Sequence, residues 1–597
     1  LHTTMAEKFA PSVRAPHMLA ATREPLPRIR PPVNENREHQ RWVERRTTIV
    51  LVVLALAGAV IARLVRHLAL HDVPHVQDEI TYQLQAHTYA LGQLTSRVLF
   101  PRAAFNMWFV DDRAARFGIF PPGWPMLLSL GTRTGLESWV NPILHGITAL
   151  LVGRLALTIA GQRKAIVATA LYAFCPQAIV LAASLMSHTL VALCAVIVAS
   201  AAWRALRGDT PSTTRALAAG GALAMVACTR PLCMVVLAAF LGGCLLRRAW
   251  RERALPWKDM LGVAAPLACG VALVLTYNGA LTGHPFVFPQ NDYFNEHLPP
   301  GDGPFFNYYH GCNNLGFGRG CDYSIAGGNH TLENAASNVA DNWGTWIRLV
   351  GGGPLVFAAA LFACTRRSWR PFACASALLV VGTVAAYSLY WHPGTCYGAR
   401  FYHLALPTLV LAGALGVTSL RSPKWVGALL VVWLGWNAFA IVESARELSH
   451  RYWGTDDRYE TMARDWKAGD AVVMIAFAPE WSRSSPLHWT AVIPTGSAWA
   501  LTMRADAALA VDEPNLEGKV IFVRFHPGIV DQLKAEFPGR SFYVAIDHPE
   551  PQDEELIRYE DWDPVAEHDL EAPNDNFEGF MLTPPRGKPW KKAARHP

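Results

Sequence analysis

Charge is scarce in this chain. Asp, Glu, Lys and Arg make up 17% of its 597 residues, against about 25% in an ordinary soluble domain. Between Thr47 and Ala440 they are confined mostly to the connections between apolar runs of ~20 residues, the length that crosses a bilayer core. A chain patterned this way does not fold as a string of soluble domains, although its length alone would suggest several. It also lacks a repeat of fixed period, the doubled six-span halves of many transporters, and a tight metal-ligand spacing such as His-Glu-x-x-His. No cleavable signal segment is evident, and the first apolar run reads as an uncleaved anchor. The net charge of +6 is not a nucleic-acid signal, because the basic residues stand between apolar runs.

What is present is apolar residues, 51% of the total. Spanning segments are expected at 48–70, 139–160, 165–183, 187–206, 216–229, 231–247, 259–281, 343–364, 371–391, 402–420 and 425–443. Their connections alternate in charge. Arg163 and Lys164, Arg204 to Arg215, Arg247 to Lys258, Arg366 to Arg370, and Arg421 with Lys424 fill every second one, and the intervening short ones hold at most one Arg each. Positive charge stays on the cytoplasmic side. That places the N-terminus there, and loops 71–138 and 282–342 with the C-terminal region on the other face. The number of crossings must then be odd, and eleven satisfies this. Pro121–Gly131 is too short to span and is placed as a helix lying on or dipping into the outer surface.

The expected fold class is an all-α polytopic membrane domain with a small C-terminal α/β extracytoplasmic domain. Its parts are a disordered cytoplasmic tail (1–46), the membrane domain (47–443), the α/β domain (444–563) and a charged, Pro-rich disordered tail (564–597). The α/β reading rests on strand-like runs Ala471–Phe477, Lys519–Phe525 and Ser541–Asp547, with a helix Ile529–Phe537 between the last two. No Gly-rich phosphate loop or metal-spaced cluster occurs in that region. The setting expected is a bacterial inner (cell) membrane. Most cysteines lie in or beside apolar runs, but Cys312 and Cys321 sit in a polar outer loop. A disulfide and two unpaired thiols are both open there.

Ionisable residues at a membrane boundary are expensive to desolvate, so they tend to be functional. The outer face collects Asp78, Glu79, His188, Arg230, His392 and Arg400. Each has a plainer reading. Acids before a helix face its dipole, an interfacial Arg snorkels, and an interfacial His is often only hydrogen-bonded.

Order and spacing are more specific than any one of these. Asp78-Glu79-x-x-Tyr82 follows the first span, then Leu91-Gly92-x-Leu94, Phe-Pro-Pro-Gly-Trp-Pro at 120–125 and Ser187-His188-Thr189. Arg230-Pro231, Tyr277-Asn278 with Thr282-Gly283-x-Pro285, and Gly398-Ala399-Arg400-Phe401-Tyr402 with Pro407 complete the set. With these motifs the chain resembles, across 48–443, the GT-C superfamily of integral-membrane glycosyltransferases. The likeness is to the family 39-like branch of protein O-mannosyltransferases and aminoarabinose transferases of lipid A. Arg400-Phe401 departs from the Arg-Tyr of many relatives.

The resemblance implies an inverting transferase that moves a sugar from a polyprenyl-phosphate donor to a glycan, lipid or protein acceptor on the outer face. It implies Asp78 as general base. Glu79 is left to orient the acceptor, tune Asp78 or bind a metal. Arg400 first and Arg230 second would hold the donor phosphate. Tyr82, His188, His392, Tyr397 and Tyr402 would add substrate hydrogen bonds. Trp108, Trp124, Phe305, Phe306, Tyr308 and Tyr309 either stack on a sugar or form an interfacial belt. No cofactor is assigned, and a divalent metal stays open. Two rivals stand. A transporter or lipid-carrier flippase would place charges at mid-membrane. A non-catalytic scaffold would leave the outer motifs scattered in space. An Asp78–Arg400 separation beyond ~20 Å would end the catalytic assignment.

Overall fold

The computed structural model describes residues 35–209, 212–297, 315–323, 328–392, 394–450, 452–477, 498–511, 514, 516–526, 528–548 and 555–561. The chain divides into two compact units, Leu1–Thr47 and Thr48–Pro597. In the first, the described part is the start of helix α1 (Glu35–Ala69), where the Arg46 guanidinium lies over the Trp42 ring. The remaining architecture belongs to the second.

After α1 come α2 (Gln77–Ala90), α3 (Arg102–Phe105), the antiparallel pair β1 (Val110–Asp111) and β2 (Phe117–Gly118), and α4 (Gly123–Thr134). Seven helices follow: α5 (Val140–Ala160), α6 (Gln162–Ala173), α7 (Pro176–Ala183), α8 (His188–Arg207), α9 (Thr213–Ala227), α10 (Pro231–Glu252) and α11 (Trp257–Thr282). The next loop carries α12 (Pro289–His297) and the antiparallel pair β3 (Gly318–Tyr323) and β4 (Gly328–His330). Then come α13 (Leu332–Leu349), α14 (Pro354–Thr365), α15 (Arg370–Tyr387), a 3-10 turn Arg400–Ala405 that leads into α16 (Leu406–Val417), and α17 (Pro423–Ser449).

Among the described residues eight helices are long and apolar enough to cross a membrane, or ten spans if two bent pairs are counted, so the protein is integral to one. Eleven were expected, and the differences have local causes. Segment 165–183 is α6 and α7, bent by 51° where Pro176 cannot continue the ladder. Segment 343–364 is α13 and α14, bent by 93° across Gly351, Gly352 and Gly353, all at positive φ, with Pro354 next. Segment 216–229 is α9, whose 15 residues reach about 22 Å. Packing nonetheless shows that α9 carries the chain from one end of the bundle to the other. The residues just before α8 and α10 touch, since Arg230 Nη1 donates to Ser187 Oγ at 3.1 Å. The chain leaves that end along α8 and must return along α9 to start α10. At the opposite end, Lys164 stands over the Trp369 ring, and Trp369 Nε1 donates to Ser419 Oγ at 2.8 Å.

The C-terminal part holds α18 (Arg458–Asp465), β5 (Ala471–Phe477), α19 (Ala498–Val511), β6 (Val520–Arg524), α20 (Val530–Glu536), β7 (Ser541–Asp547) and β8 (Glu555–Arg558). The sheet order is β6-β5-β7-β8, with β5 parallel to both neighbours and β8 antiparallel to β7. The three expected strands and the helix between two of them appear within a residue of their expected limits; α18, α19 and β8 are additional.

Side chains alternate across a strand, and both sheet faces are covered in part by loop 71–138. Ile80, Leu84, Met107 and Val110 share a core with Val473, Ile475 and Phe522. Leu99, Ala104 and Phe105 share another with Val472, Met474, Ile521 and Val523. Burying Ile80 and Leu84 alone contributes up to about 3–6 kcal/mol. Loop 71–138 and the α/β layer are thus fastened by apolar contact. Phe305, Phe306, Tyr308, Tyr309 and Cys312 lie outside the described residues, as does a Cys312–Cys321 bridge.

Candidate active site

The stretch His75–Tyr82 turns the chain from α1 into α2. Val76 is extended (φ −126°, ψ 143°) and Gln77 opens the helix. Adjacent helical residues point ~100° apart, so Asp78 and Glu79 meet different surroundings. Asp78 is 17% exposed, and its Oδ2 accepts from Arg400 Nη1 at 3.2 Å, across 322 residues of sequence. Glu79 is fully buried. Its Oε2 accepts from the His75 N–H (3.0 Å), the Val76 N–H (3.2 Å) and the Tyr397 hydroxyl (2.7 Å), and its Oε1 from the Leu185 N–H (2.5 Å). Four protein donors therefore occupy the Glu79 carboxylate. It ties the start of α2 to the turn before α8 and to the turn before Arg400.

Two guanidinium groups face this corner. Arg400 opens the 3-10 turn, is almost fully buried, and has no partner for its Nε among the described residues. Arg230 immediately precedes α10 and holds Ser187. Both lie over the Phe401 ring, at 5.4 Å for Arg230 and 5.3 Å for Arg400. That ring stacks on Tyr387 with centroids 4.6 Å apart. The Phe at this position serves as a shared cation–π platform.

The remaining residues expected at the site are placed as follows. Tyr82 is buried and packs on Phe120 at 4.8 Å; burial first, then the charge of Asp78, raises its phenol above the usual range. His188 opens α8, is buried beside Phe401, and has no partner for either ring nitrogen among the described residues. His392 Nδ1 accepts the Gly394 N–H at 2.9 Å. Burial, then the charge of Arg400, lowers its imidazole to about 3, so it is neutral at pH 7. Tyr397 is a backbone support as well as a donor to Glu79: at φ 56° its N–H donates to the Tyr452 hydroxyl (2.8 Å) and its carbonyl accepts from Gln177 Nε2 (2.8 Å). Tyr402 packs edge-on against Trp346 at 5.4 Å. Trp108 and Trp124 are buried in packing.

The motifs hold these turns in place. Trp124 Nε1 donates to the Leu185 carbonyl at 2.8 Å. Gly123 N–H donates to the Cys228 carbonyl at 2.7 Å, and a Cβ there would stand 2.6 Å from Thr229 Oγ1. The Phe-Pro-Pro-Gly-Trp-Pro stretch thus buttresses both the Ser187 and Arg230 turns. Tyr277 donates to the Phe120 carbonyl at 2.9 Å, linking α11 to the same stretch. Gly398, at φ 84°, brings its Cα so close to Gln177 that a Cβ would lie 2.2 Å from Gln177 Oε1.

Sequence reasoning missed three supports. Asn141 donates to the Ser184 and Met186 carbonyls at 2.7 and 2.9 Å. Gln177 binds the 397–399 turn at two points. Asp506 reaches α2 from the α/β layer. The first two carried a signal, because an amide inside an apolar run needs a partner; Asp506 carried none. Among the described residues no three His, Cys, Asp or Glu side chains form a group that could hold a metal ion. The geometry can accept a proton at the partly exposed Asp78 and seat an anion against Arg400 and Arg230.

No family model and no curated protein sequence matches this chain. Among solved structures it is similar to ArnT from Cupriavidus metallidurans bound to undecaprenyl phosphate, at 13% identity and a TM-score of 0.49 over 83% of this chain and 92% of that one. It is similar to the Archaeoglobus fulgidus oligosaccharyltransferase in the apo form, at 14% identity and 0.41 over 83% and 69%. It is also similar to the archaeal oligosaccharyltransferase AglB from Archaeoglobus fulgidus in complex with an inhibitory peptide and a dolichol-phosphate, at 13% and 0.41 over 84% and 70%.

Proposed function

We propose that this chain is a membrane glycosyltransferase of the GT-C kind. It moves a sugar from a polyprenyl-phosphate-linked donor to an acceptor on the extracytoplasmic face. The observation that supports it is the 3.2 Å contact between Asp78 and Arg400, with Arg230 and Ser187 at the same end of the bundle. A scaffold gives no reason for these separate segments to converge. A transporter favours charges at mid-membrane rather than at one end.

In the proposed reaction the acceptor hydroxyl oxygen attacks the anomeric carbon while its proton passes to an Asp78 carboxylate oxygen. The bond from that carbon to the donor phosphate oxygen breaks on the opposite face, and the electron pair leaves on the phosphate. Configuration inverts. The leaving group carries its own negative charge, so it needs cations rather than an acid. Arg400, whose Nε has no partner among the described residues, and Arg230 supply them. Once the phosphate shares Arg400, the hold of that cation on Asp78 weakens and the carboxylate is freed to take a proton. A lipid phosphate, the ligand class held by the ArnT and AglB structures above, suits the buried Arg400 and half-buried Arg230 guanidinium groups beside an apolar ring platform. Glu79 acts through its four donors, fixing the helix start from which Asp78 projects.

The test is transfer of labelled sugars from a panel of synthetic polyprenyl-phosphate donors by the purified full chain in detergent or liposomes. Transfer by wild type that falls by a factor on the order of 10²–10⁴ in Asp78→Asn is expected. Equal rates for the two proteins would remove Asp78 as the base.

A further inference from the structure

Three consecutive residues at the start of α2 face three parts of the protein. Glu79 is bound by the turns at Leu185 and Tyr397, and Asp78 meets Arg400. Gln77 is buried, and its Nε2 donates to Asp506 Oδ2 of α19 at 3.1 Å. The same oxygen accepts the Trp108 N–H at 3.2 Å, and Asp506 Oδ1 accepts from Arg524 Nη2 of β6. Asp506 has no solvent exposure. A line of direct contacts therefore runs from β6, through Arg524 and Asp506, to the residue beside Asp78.

A buried carboxylate persists only when its charge is paired and its oxygens are bonded. Here the charge partner comes from the sheet, and the other donors come from loop 71–138. Apolar packing of Ile80, Leu84, Met107 and Val110 already fastens the α/β layer to this loop. The Gln77–Asp506 bond is not needed to keep the layer attached. Unlike apolar contact, it is directional, and it acts at the first residue of α2, where a small rotation of the helix start swings the next side chain.

We propose that Asp506 is a positioning residue, through which the C-terminal α/β layer sets the orientation of the α2 start and so the reach of Asp78 toward the acceptor hydroxyl. This rests on the reading of Asp78 as general base. The layer then contributes to the chemical step from a distance, whichever acceptor is used. Displacing a reacting group by about 1 Å can cost ~10²-fold in rate.

The decisive variant is Gln77→Leu in the full-length protein, because Asp506 keeps Arg524 and Trp108 as partners and the layer keeps its core. The expected result is a roughly ten- to hundredfold fall in kcat with the donor KM within about twofold, which marks loss of transition-state geometry rather than of binding. Amide hydrogen exchange over 77–82 is expected to quicken about tenfold, with exchange in β5 and β7 unchanged. Unchanged exchange over 77–82 overturns the proposal, as does a quickened exchange with unaltered kcat. A wild type that transfers no sugar from any donor strikes the transferase reading alone, and the exchange comparison still decides whether Asp506 holds α2.

Discussion

Asp78 and Glu79 differ by one methylene and one helical step, yet they predict opposite mutant behaviour. The Glu79 carboxylate is fully buried and receives four protein donors. Gln in its place offers a single acceptor oxygen and turns an NH2 group toward another donor. Leaving buried donors unmet costs about 1–3 kcal/mol each, so Glu79→Gln is expected to lower thermal stability by about 2–4 kcal/mol. Asp78 is partly exposed with one charged partner. Asn keeps an oxygen that can accept from Arg400 Nη1, so Asp78→Asn is expected to cost less stability than Glu79→Gln while abolishing most transfer. Unfolding monitored in detergent, beside the transfer assay, separates the two. Reversed outcomes would exchange the roles of the neighbours.

His392 gives a pH dependence with a definite sign. Its folded value of about 3 lies below the ordinary 6.5, so between these values the unfolded chain binds a proton that the folded chain does not. Stability is then complete above pH ~6.5 and is lost as pH falls toward 3. His75, also lowered chiefly by burial, adds in the same direction. His392→Asn keeps an acceptor for the Gly394 N–H and does not titrate. The thermal midpoint of wild type is expected to drop from pH 7 to pH 5, and that of His392→Asn to drop less. Equal drops would show that the imidazole takes up its proton without unfolding.

At the scale of elements, what the sequence makes legible depends on whether the determining force is local. Runs of apolar residues are read because the bilayer demands length, and strands β5 and β7 because their β-branched and aromatic runs end at clear turns. The breaks between α6 and α7 and between α13 and α14 were hidden because hydropathy continues through Pro176 and past the Gly351–Gly353 triplet. The charges buried in α19, Arg504 and Asp506, mask that helix in sequence, since their partners Asp547 and Arg524 lie on strands far along the chain. The site motifs were recognisable by order alone. Their physical purpose, such as Gly123 against the Arg230 turn, needed distances. Gly398 shows how an element turns into function. Its φ of 84° disfavours any side chain, and a Cβ would clash with Gln177 two residues before Arg400. Gly398→Ala is expected to cost roughly 1–2 kcal/mol in backbone strain alone and to raise the donor KM at least about tenfold by shifting Arg400. A measured KM equal to wild type would detach this turn from donor binding.

For the whole molecule, the question is how many times the chain crosses the bilayer, because that decides whether the α/β layer shares a face with Asp78. Counting by length and hydropathy alone gives eight spans among the described residues, or ten with the bent pairs. An even count would return the chain to the face from which α1 departs. Yet Asp506 of the layer bonds Gln77 just beyond the end of α1, so the chain after α17 is on the face that α1 reaches. We therefore predict an odd count, with α9, short as it is, as the further crossing. Basic residues gather at the far ends, around Arg163, Arg251, Arg366 and Arg421, which is the distribution expected of cytoplasmic connections. Single cysteines test this directly. Lys534→Cys on α20 and Arg251→Cys at the end of α10, each in a chain freed of the exposed Cys269 and Cys374 and of the loop residues Cys312 and Cys321, should react with a membrane-impermeant maleimide from opposite sides of sealed vesicles. Labelling from the same side would return the count to an even number and separate the α/β layer from the candidate site, undoing both the positioning role of Asp506 and the shared face on which the proposed transfer depends.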